Sequence, residues 1–196
     1  MPSDWSSLVG SRICHDLISP IGAIGNGIEL MTLTGGDGAA EVELISESVQ
    51  NASARIRFFR VAYGAASSEQ SIGRSEILAI LSASARGGRM TYYWQIDGDQ
   101  PRQEVRVTFL LLQCFETAMP MGGDVQIAQD ADGWVLTGTS DKLAFDDGLW
   151  GPLTNGIDPI SLTAAQVQFA LLPQALAEAQ RRLSVERSDN RITVRF

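Results

Sequence analysis

Two apolar stripes on either side of one strong turn constrain the fold of this chain more than any other feature. The turn is TGGDG at residues 34–38. On both sides of it, apolar residues recur mainly every three or four positions, as on one face of an α-helix. This spacing predicts two helices of about 25 to 30 residues, joined as an antiparallel hairpin. The stripe residues are Leu8, Ile13, Leu17, Ile21, Ile24, Ile28 and Met31, then Val42, Ile45, Val49, Ala52, Ile56, Phe59 and Tyr63.

A lone hairpin cannot bury both stripes well, whereas two hairpins can bury them together in a four-helix bundle. We therefore expect a homodimer formed through this segment, with residues 1–68 as the dimerisation domain.

The pattern changes near AASSEQSIG at residues 65–73, and residues 69–196 are predicted to form a second domain. The predicted fold class is α+β, with the helical hairpin followed by an α/β layer of antiparallel or mixed strands backed by helices. Pro173 either kinks the last helix or marks its true start. The predicted helices lie near 74–86, near 103–118 and within 164–182, and the strands at 90–96, 125–129, 134–139 and 142–145, with a terminal hairpin from 183 to 196.

Composition excludes several classes of function. A net charge of −8 disfavours nucleic acid as a partner, because phosphate binding needs a basic surface. Two cysteines a hundred residues apart and a single histidine argue against disulfides and a zinc site. Because no apolar run reaches about 18 residues and the start is unlike a signal peptide, we expect a cytoplasmic protein with no membrane partner.

The single histidine, His15, lies on the first predicted helix in SRICHDLISP. With successive residues about 100° apart, His15 falls opposite the apolar stripe and faces solvent. Small or polar residues share that outer face and are candidate partner-binding residues: Ser11, Arg12, Ser19, Gly22 and Asn26.

Glycines in a helix interior cost stability and so call for an explanation. Gly22, on the face of His15, favours close approach by a partner. Gly25 and Gly27 fit such docking and helix–helix packing equally well. Pro20 predicts a slight bend one turn after His15.

The stretch HDLISP resembles the phosphoacceptor box of histidine kinases, in which a histidine is followed by an acidic residue and, five positions on, a proline. In that family the box lies on the first helix of a dimeric hairpin, followed by an ATP-binding α/β domain. This chain shows the same order along nearly its whole length.

The second domain departs from the kinase pattern. Counting back from Gly122-Gly123, the positions expected to hold the magnesium-binding asparagine are Leu110 and Cys114, and neither supplies the oxygen that magnesium prefers. The positions expected to hold the adenine-binding motif are occupied by Thr139, Asp141 and Leu143. We therefore expect an ATPase-like domain without a working nucleotide site and with no ATP or metal cofactor of its own.

A kinase-like dimer without an ATP site resembles the ChpT-type histidine phosphotransferases of bacterial phosphorelays. The matching stretches are HDLISPIGAIGNGIEL, RIRFFRVAYGAA and ETAMPMGG. The resemblance implies that His15 receives a phosphoryl group from the aspartate of a hybrid kinase's receiver domain and passes it to a response regulator, with magnesium supplied by the receiver. Asp16 would bond the other imidazole nitrogen or act as a nearby base, although adjacent helix positions diverge.

In an antiparallel hairpin with this turn, His15 should lie opposite about residue 57 of the second helix. Arg57 or Arg60 is therefore a candidate to reach the phosphoryl group or an acidic receiver surface, although both fit solvated arginines equally well. Two other functions stay open. One is a binding module that sequesters receivers, and the other is a histidine kinase with an unusual nucleotide pocket.

Overall fold

The N-terminal third of the chain is a helical hairpin. The computed structural model describes residues 5–34, 38–86, 88–155 and 161–196. Helix α1 (Trp5–Thr34) continues through Pro20, and α2 (Ala39–Ala62) packs against it. Asp16 lies beside Arg55, and Gly27 lies beside Ile45, so the two helices run antiparallel. This confirms the predicted hairpin, although residues 35–37 of its turn lie outside the described residues.

The rest of the chain forms an α/β sandwich. Its main sheet has the strand order β2-β4-β5-β7-β6, in which β2 and β4 are parallel and every other pair is antiparallel. The elements are β1 (Ser71–Ile72), α3 (Arg74–Arg86), β2 (Met90–Trp94), β3 (Gln100–Pro101), α4 (Arg102–Ala118), β4 (Gly123–Asp130), β5 (Gly133–Thr139), α5 (Asp147–Asn155), α6 (Val167–Glu178), β6 (Ser184–Arg187) and β7 (Arg191–Arg195).

Most predicted elements are confirmed, including the mixed sheet and the C-terminal hairpin. The last helix begins with a 3-10 turn at Ala164–Gln166, and Pro173 lies inside α6, so it does not mark the start. The β1–β3 ladder was not predicted, because two residues on each side carry no periodic signal.

The predicted strand at 142–145 is wrong. The backbone N–H of Ala144 donates to the carbonyl of Ala118 at the end of α4, not to a neighbouring strand. The alternation that led to the prediction has another cause, because Leu143 and Phe145 both pack against the core.

Helix α5 follows that segment and was missed. Its sequence, DGLWGPLTN, contains two glycines and a proline, which are poor helix formers. Asp146 starts the helix, because its side chain accepts from the N–H of Gly148 and its carbonyl accepts from the N–H groups of Leu149 and Trp150. Burial of Leu149, Trp150 and Leu153 then stabilises the helix.

Helix α4 is the centre of the core. Every residue from Val105 to Phe115 is buried, whereas an ordinary surface helix buries only one stripe. Sheet residues such as Ile127 and Leu136 are fully buried, and so is Leu172 of α6. The hairpin adds the C-terminal end of α2, where the ring of Phe58 packs against that of Phe109 of α4, with 4.7 Å between the ring centres.

Much of the apolar surface of the hairpin remains in solvent within this single chain. None of the helices in the described ranges combines the length and the apolar character needed to cross a lipid bilayer. Among the ten large apolar residues that are exposed on the described part of the hairpin, five form a stripe with a seven-residue spacing along each helix, and each of these is between 46% and 58% exposed. They are Ile21 and Ile28 on α1, and Val42, Val49 and Ile56 on α2.

Packing of β5 against α4 leaves no room for a side chain at Gly138. A Cβ there would lie 2.5 Å from the ring of Phe115 and 3.0 Å from Met119. We expect Gly138→Ala to lower the free energy of unfolding by about 1 to 3 kcal/mol, as overpacked cores do. Urea denaturation at a fixed protein concentration measures this change.

Gly151→Ala is the matched control, because a Cβ at Gly151 in α5 meets nothing within 4 Å. This variant should be neutral or stabilised by up to about 1 kcal/mol. Equal effects of the two substitutions would contradict the proposed clash at Gly138.

Candidate functional site

His15 lies on the outer side of α1, and 86% of its side chain is exposed. This agrees with the helical phase deduced from the sequence. The predicted neighbours on this face, Ser11, Ser19, Gly22 and Asn26, are exposed as well. The histidine is therefore open to approach by a large partner.

The glycines of α1 separate into two groups. A Cβ at Gly22 or Gly25 would meet nothing within 4 Å, so both leave the helix backbone open to approach from outside. A Cβ at Gly27 would lie 2.7 Å from Cγ1 of Ile45. Gly27 therefore serves the packing of α1 on α2. The sequence left docking and helix–helix packing open for both glycines, and the structure favours docking for Gly25 and packing for Gly27.

Asp16 holds one side of the imidazole. Its Oδ1 lies 3.1 Å from Nδ1 of His15, although the two residues are adjacent on the helix. Because a carboxylate only accepts hydrogen bonds, this contact favours the neutral tautomer in which Nδ1 carries the hydrogen and Nε2 keeps its lone pair. A histidine in this state presents Nε2 as a nucleophile.

The other oxygen of Asp16 is shared by two guanidinium groups. Oδ2 accepts from Nε of Arg12 at 2.8 Å and from Nη1 of Arg55 at 3.5 Å. Only 10% of the Asp16 side chain and 15% of the Arg12 side chain are exposed, whereas 45% of the Arg55 side chain is exposed. The carboxylate is thereby fixed between His15 on one side and the two arginines on the other.

Arg12 lies inside the site and not on the outer surface where the sequence placed it. Its side chain is only 15% exposed, and its Nη1 donates to the backbone carbonyl of Ala165 at 2.9 Å. Although burial opposes the effect, the nearby Asp16 carboxylate raises the pKa of Arg12 above its ordinary value. The helical phase was insufficient here because the long side chain extends along the helix towards Asp16, one turn further on, and reaches Ala165 of the second domain.

The arginine that contacts Asp16 from α2 is Arg55, which the sequence analysis did not select. Arg60 is instead paired with Glu76 of α3 at 2.9 Å, and Arg57 is exposed. Arg57 lies two positions from Arg55 and so points about 200° away around the helix. The predicted position opposite His15 on α2 was therefore correct to within two residues. The helical phase of each arginine relative to the apolar stripe was the signal that would have distinguished Arg55 from Arg57.

A cleft of about 560 Å³ opens on the inner side of Asp16, between the hairpin and the α/β sandwich. On its wall, Oε1 of Glu116 accepts a hydrogen bond from the hydroxyl of Tyr92 at 2.7 Å. Burial raises the pKa of Glu116, against the opposing effects of that hydrogen bond and of Arg12 and Arg55. The sequence gave no sign of this cleft, because its walls come from five elements distant in the chain.

Within the described parts of the chain, no group of three or more histidine, cysteine, aspartate or glutamate residues could hold a metal ion. Both cysteines are free thiols. Cys14 is exposed, and Cys114 is buried. Burial raises the pKa of the Cys114 thiol well above its ordinary value, which makes it a poor nucleophile.

The site thus consists of an exposed histidine held by its neighbouring carboxylate on a helical hairpin, with an α/β sandwich behind it. The family model for the histidine phosphotransferase C-terminal domain matches residues 74–191. The chain therefore belongs to the histidine phosphotransferase family, which confirms the resemblance drawn from the sequence.

A curated relative is the protein phosphotransferase ChpT of Brucella abortus (strain 2308). It is 37% identical over 128 residues, which are 63% of this chain and 60% of the length of that protein. A solved structure described as a bacterial phosphotransferase superposes with a TM-score of 0.79 at 30% identity, covering 99% of this chain and 96% of the other. The whole architecture, hairpin and sandwich together, is thus shared with that phosphotransferase.

The raised pKa of Glu116 predicts a pH-dependent stability. The folded state favours the protonated carboxyl, so this contribution is fully present below about pH 4 and is lost as the pH rises through the folded-state pKa. We expect Glu116→Gln, which cannot ionise, to gain stability relative to the wild type between about pH 4 and about pH 7. Urea unfolding at a series of pH values measures the difference.

Tyr92→Phe should alter the pH dependence of stability in the opposite direction to Glu116→Gln. It removes a hydrogen bond that lowers the pKa of Glu116, so its stability should fall more steeply with rising pH than that of the wild type. A constant offset between Glu116→Gln and the wild type at all pH values would contradict the interpretation.

Proposed function

We propose that this protein relays a phosphoryl group between aspartates of receiver domains through phospho-His15. The observation that carries the proposal is the geometry of His15, which is 86% exposed and held at Nδ1 by Asp16. Membership of the histidine phosphotransferase family and the printed name of the Brucella relative, protein phosphotransferase, support the same chemistry. The donor would be the receiver of a hybrid kinase, and the acceptor a response regulator.

The transfer follows from the state of the imidazole. Nε2 attacks the phosphorus of an aspartyl phosphate in line with the leaving carboxylate oxygen. A P–N bond forms and the P–O bond breaks, and the donor carboxylate leaves with the bonding electrons. No proton is transferred, so the ring keeps its hydrogen on Nδ1 and becomes cationic. The Asp16 carboxylate, 3.1 Å from Nδ1, stabilises that charge.

The onward step reverses these events on the next receiver. An acceptor carboxylate attacks phosphorus, the P–N bond breaks, and the ring returns to its neutral form. Magnesium in the receiver domain would neutralise the charge on the transferring group in both steps. This proposal assigns no cofactor to the chain itself and places the relay in the cytoplasm, with no role for nucleic acid or membrane.

The second domain would act as a docking surface for receivers and not as a nucleotide-binding domain. Leu110 and Cys114 occupy the positions expected for a magnesium-binding asparagine, and both are fully buried in the core. Neither side chain carries an oxygen that could hold magnesium. The alternative is a histidine kinase with an unusual nucleotide pocket, which calorimetric detection of ATP binding would favour.

A single substitution separates a relay from a module that only sequesters receivers. We expect His15→Ala to reduce phosphate labelling from a phosphorylated receiver domain to background, without weakening the binding of that receiver. Transfer assays against each receiver domain of the source organism, with binding measured in parallel, provide the test.

Cys14→Ala, a change at the neighbouring exposed position, is the matched control and should retain labelling. Labelling that persists in His15→Ala would refute the relay. Receiver binding by the wild type without any labelling would favour the sequestering module.

The exposed stripe of the hairpin supports the proposal of a homodimer with a four-helix bundle. Its positions repeat at the seven-residue spacing with which packed helices bury a common seam. We expect Val49→Glu to weaken self-association by at least about 100-fold, because each dimer would bury two unpaired carboxylates. Analytical ultracentrifugation over a range of concentrations measures this.

Gln50→Glu adds the same charge at the adjacent exposed position outside the stripe and should leave self-association unchanged. A wild-type protein that sediments as a monomer at all concentrations would rule out the dimer.

A further inference from the structure

Arg12 connects the phosphoacceptor residue to the second domain. Three contacts run in sequence from the sandwich to the imidazole. The carbonyl of Ala165 accepts from Nη1 of Arg12 at 2.9 Å, Oδ2 of Asp16 accepts from Nε of Arg12 at 2.8 Å, and Oδ1 of Asp16 accepts from Nδ1 of His15 at 3.1 Å.

The far end of this chain of contacts is itself fixed. Ala165 lies in the 3-10 turn that precedes α6, and that turn is closed by a capping box between Thr163 and Gln166. The side chain of Gln166 accepts from the backbone N–H of Thr163 at 3.1 Å. The carbonyl of Ala165 is therefore a rigid anchor supplied by the sandwich, about 150 residues from His15 in the sequence.

Arg12 is suited to this position because its guanidinium presents several N–H groups in one plane. One nitrogen contacts the carboxylate and another the carbonyl at the same time. A lysine ammonium is a single point of charge and cannot span both partners in this way. The side chain is 15% exposed, so little of it is available to a docking partner.

We infer that Arg12 is a positioning residue that orients Asp16 and His15 from the second domain. This inference rests on the proposed relay, and it gives the sandwich a role in the chemistry beyond docking. With Arg12 in place, Asp16 is held at the correct angle to bond Nδ1, and Nε2 stays free to attack. Without it, Asp16 keeps only the longer 3.5 Å contact with Arg55 and is free to turn away from the ring.

The hydrogen on the imidazole reports directly on this arrangement. His15 is the only histidine in the sequence, so nitrogen NMR of the full-length protein without a histidine tag gives a single pair of ring signals. We expect the neutral ring of the wild type to carry its hydrogen on Nδ1. In Arg12→Ala the hydrogen should move largely to Nε2, the usual preference of free imidazole in water.

Phosphoryl transfer provides the second readout. Arg12→Ala should slow labelling of His15 by a phosphorylated receiver domain by about 10- to 100-fold, as expected when a reacting group loses its orientation. Arg12→Lys should restore part of this rate, because the ammonium can pair with Asp16 but not with Ala165 as well. Full restoration of both the tautomer and the rate by lysine would overturn the link to the second domain.

A second pair of variants leaves α1 untouched. Gln166→Ala releases the capping box, and so it should change the tautomer and the labelling rate in the same direction as Arg12→Ala, but less. Gln174→Ala, on the exposed side of α6 where the side chain bonds Glu178, should match the wild type in both measurements. A wild-type tautomer and rate in both Arg12→Ala and Gln166→Ala would overturn the inference.

Different outcomes refute the proposed relay and the proposed positioning role of Arg12. The tautomer is measured without any phosphoryl donor, so it decides the role of Arg12 even if no receiver labels the wild type. A wild type that is never labelled would refute the relay, whereas equal labelling of wild type and Arg12→Ala would refute only the positioning role.

Discussion

Burial of α4 on all sides is the constraint on which the rest of the structure depends. The helix lies between the sheet and the other helices, so each turn must present apolar side chains in more than one direction. Full burial of a leucine or phenylalanine stabilises a fold by about 1.5 to 3 kcal/mol. Helix α4 contains three leucines and two phenylalanines, and all five are fully buried. Because the hairpin packs on the same helix through Phe58, the hairpin and the sandwich share one core.

This shared core determines where the polar groups of the site can lie. Gln113 and Glu116 sit on the side of α4 that faces the hairpin, where they line the cleft next to Asp16. Gln113 accepts a hydrogen bond from the hydroxyl of Tyr63 at 2.9 Å, and Glu116 accepts one from Tyr92. Buried polar groups need such partners, and the bond from Tyr63 to Gln113 crosses between hairpin and sandwich, so hydrogen bonding as well as apolar contact specifies that interface.

On the outer side of the hairpin, in contrast, both polar and apolar side chains are exposed to solvent. His15 and its small neighbours stay in solvent, while the exposed stripe around Ile28 and Val49 supplies the apolar surface for the proposed dimer. The proposed dimer and the proposed relay therefore use different faces of the same two helices. One face would be covered permanently and the other would be visited by receivers in turn.

The sequence by itself determined the hairpin, the outward direction of His15, most strands and helices of the sandwich, and the family. These depend on periodicity and on short motifs, which local backbone geometry translates directly into faces of helices and strands. The resemblance to a phosphoacceptor box was visible for the same reason, since HDLISP is contiguous in the chain.

Only the tertiary structure decided that Arg12 turns inward to meet Ala165, about 150 residues away in the chain. It also decided that Leu143 and Phe145 pack on the core without forming a strand, and that Glu116 lines a cleft. Such contacts depend on how finished elements dock and on where long side chains turn. Neither is encoded in the local period of the sequence, which fixes the direction of a Cβ but not the partner that its side chain finds.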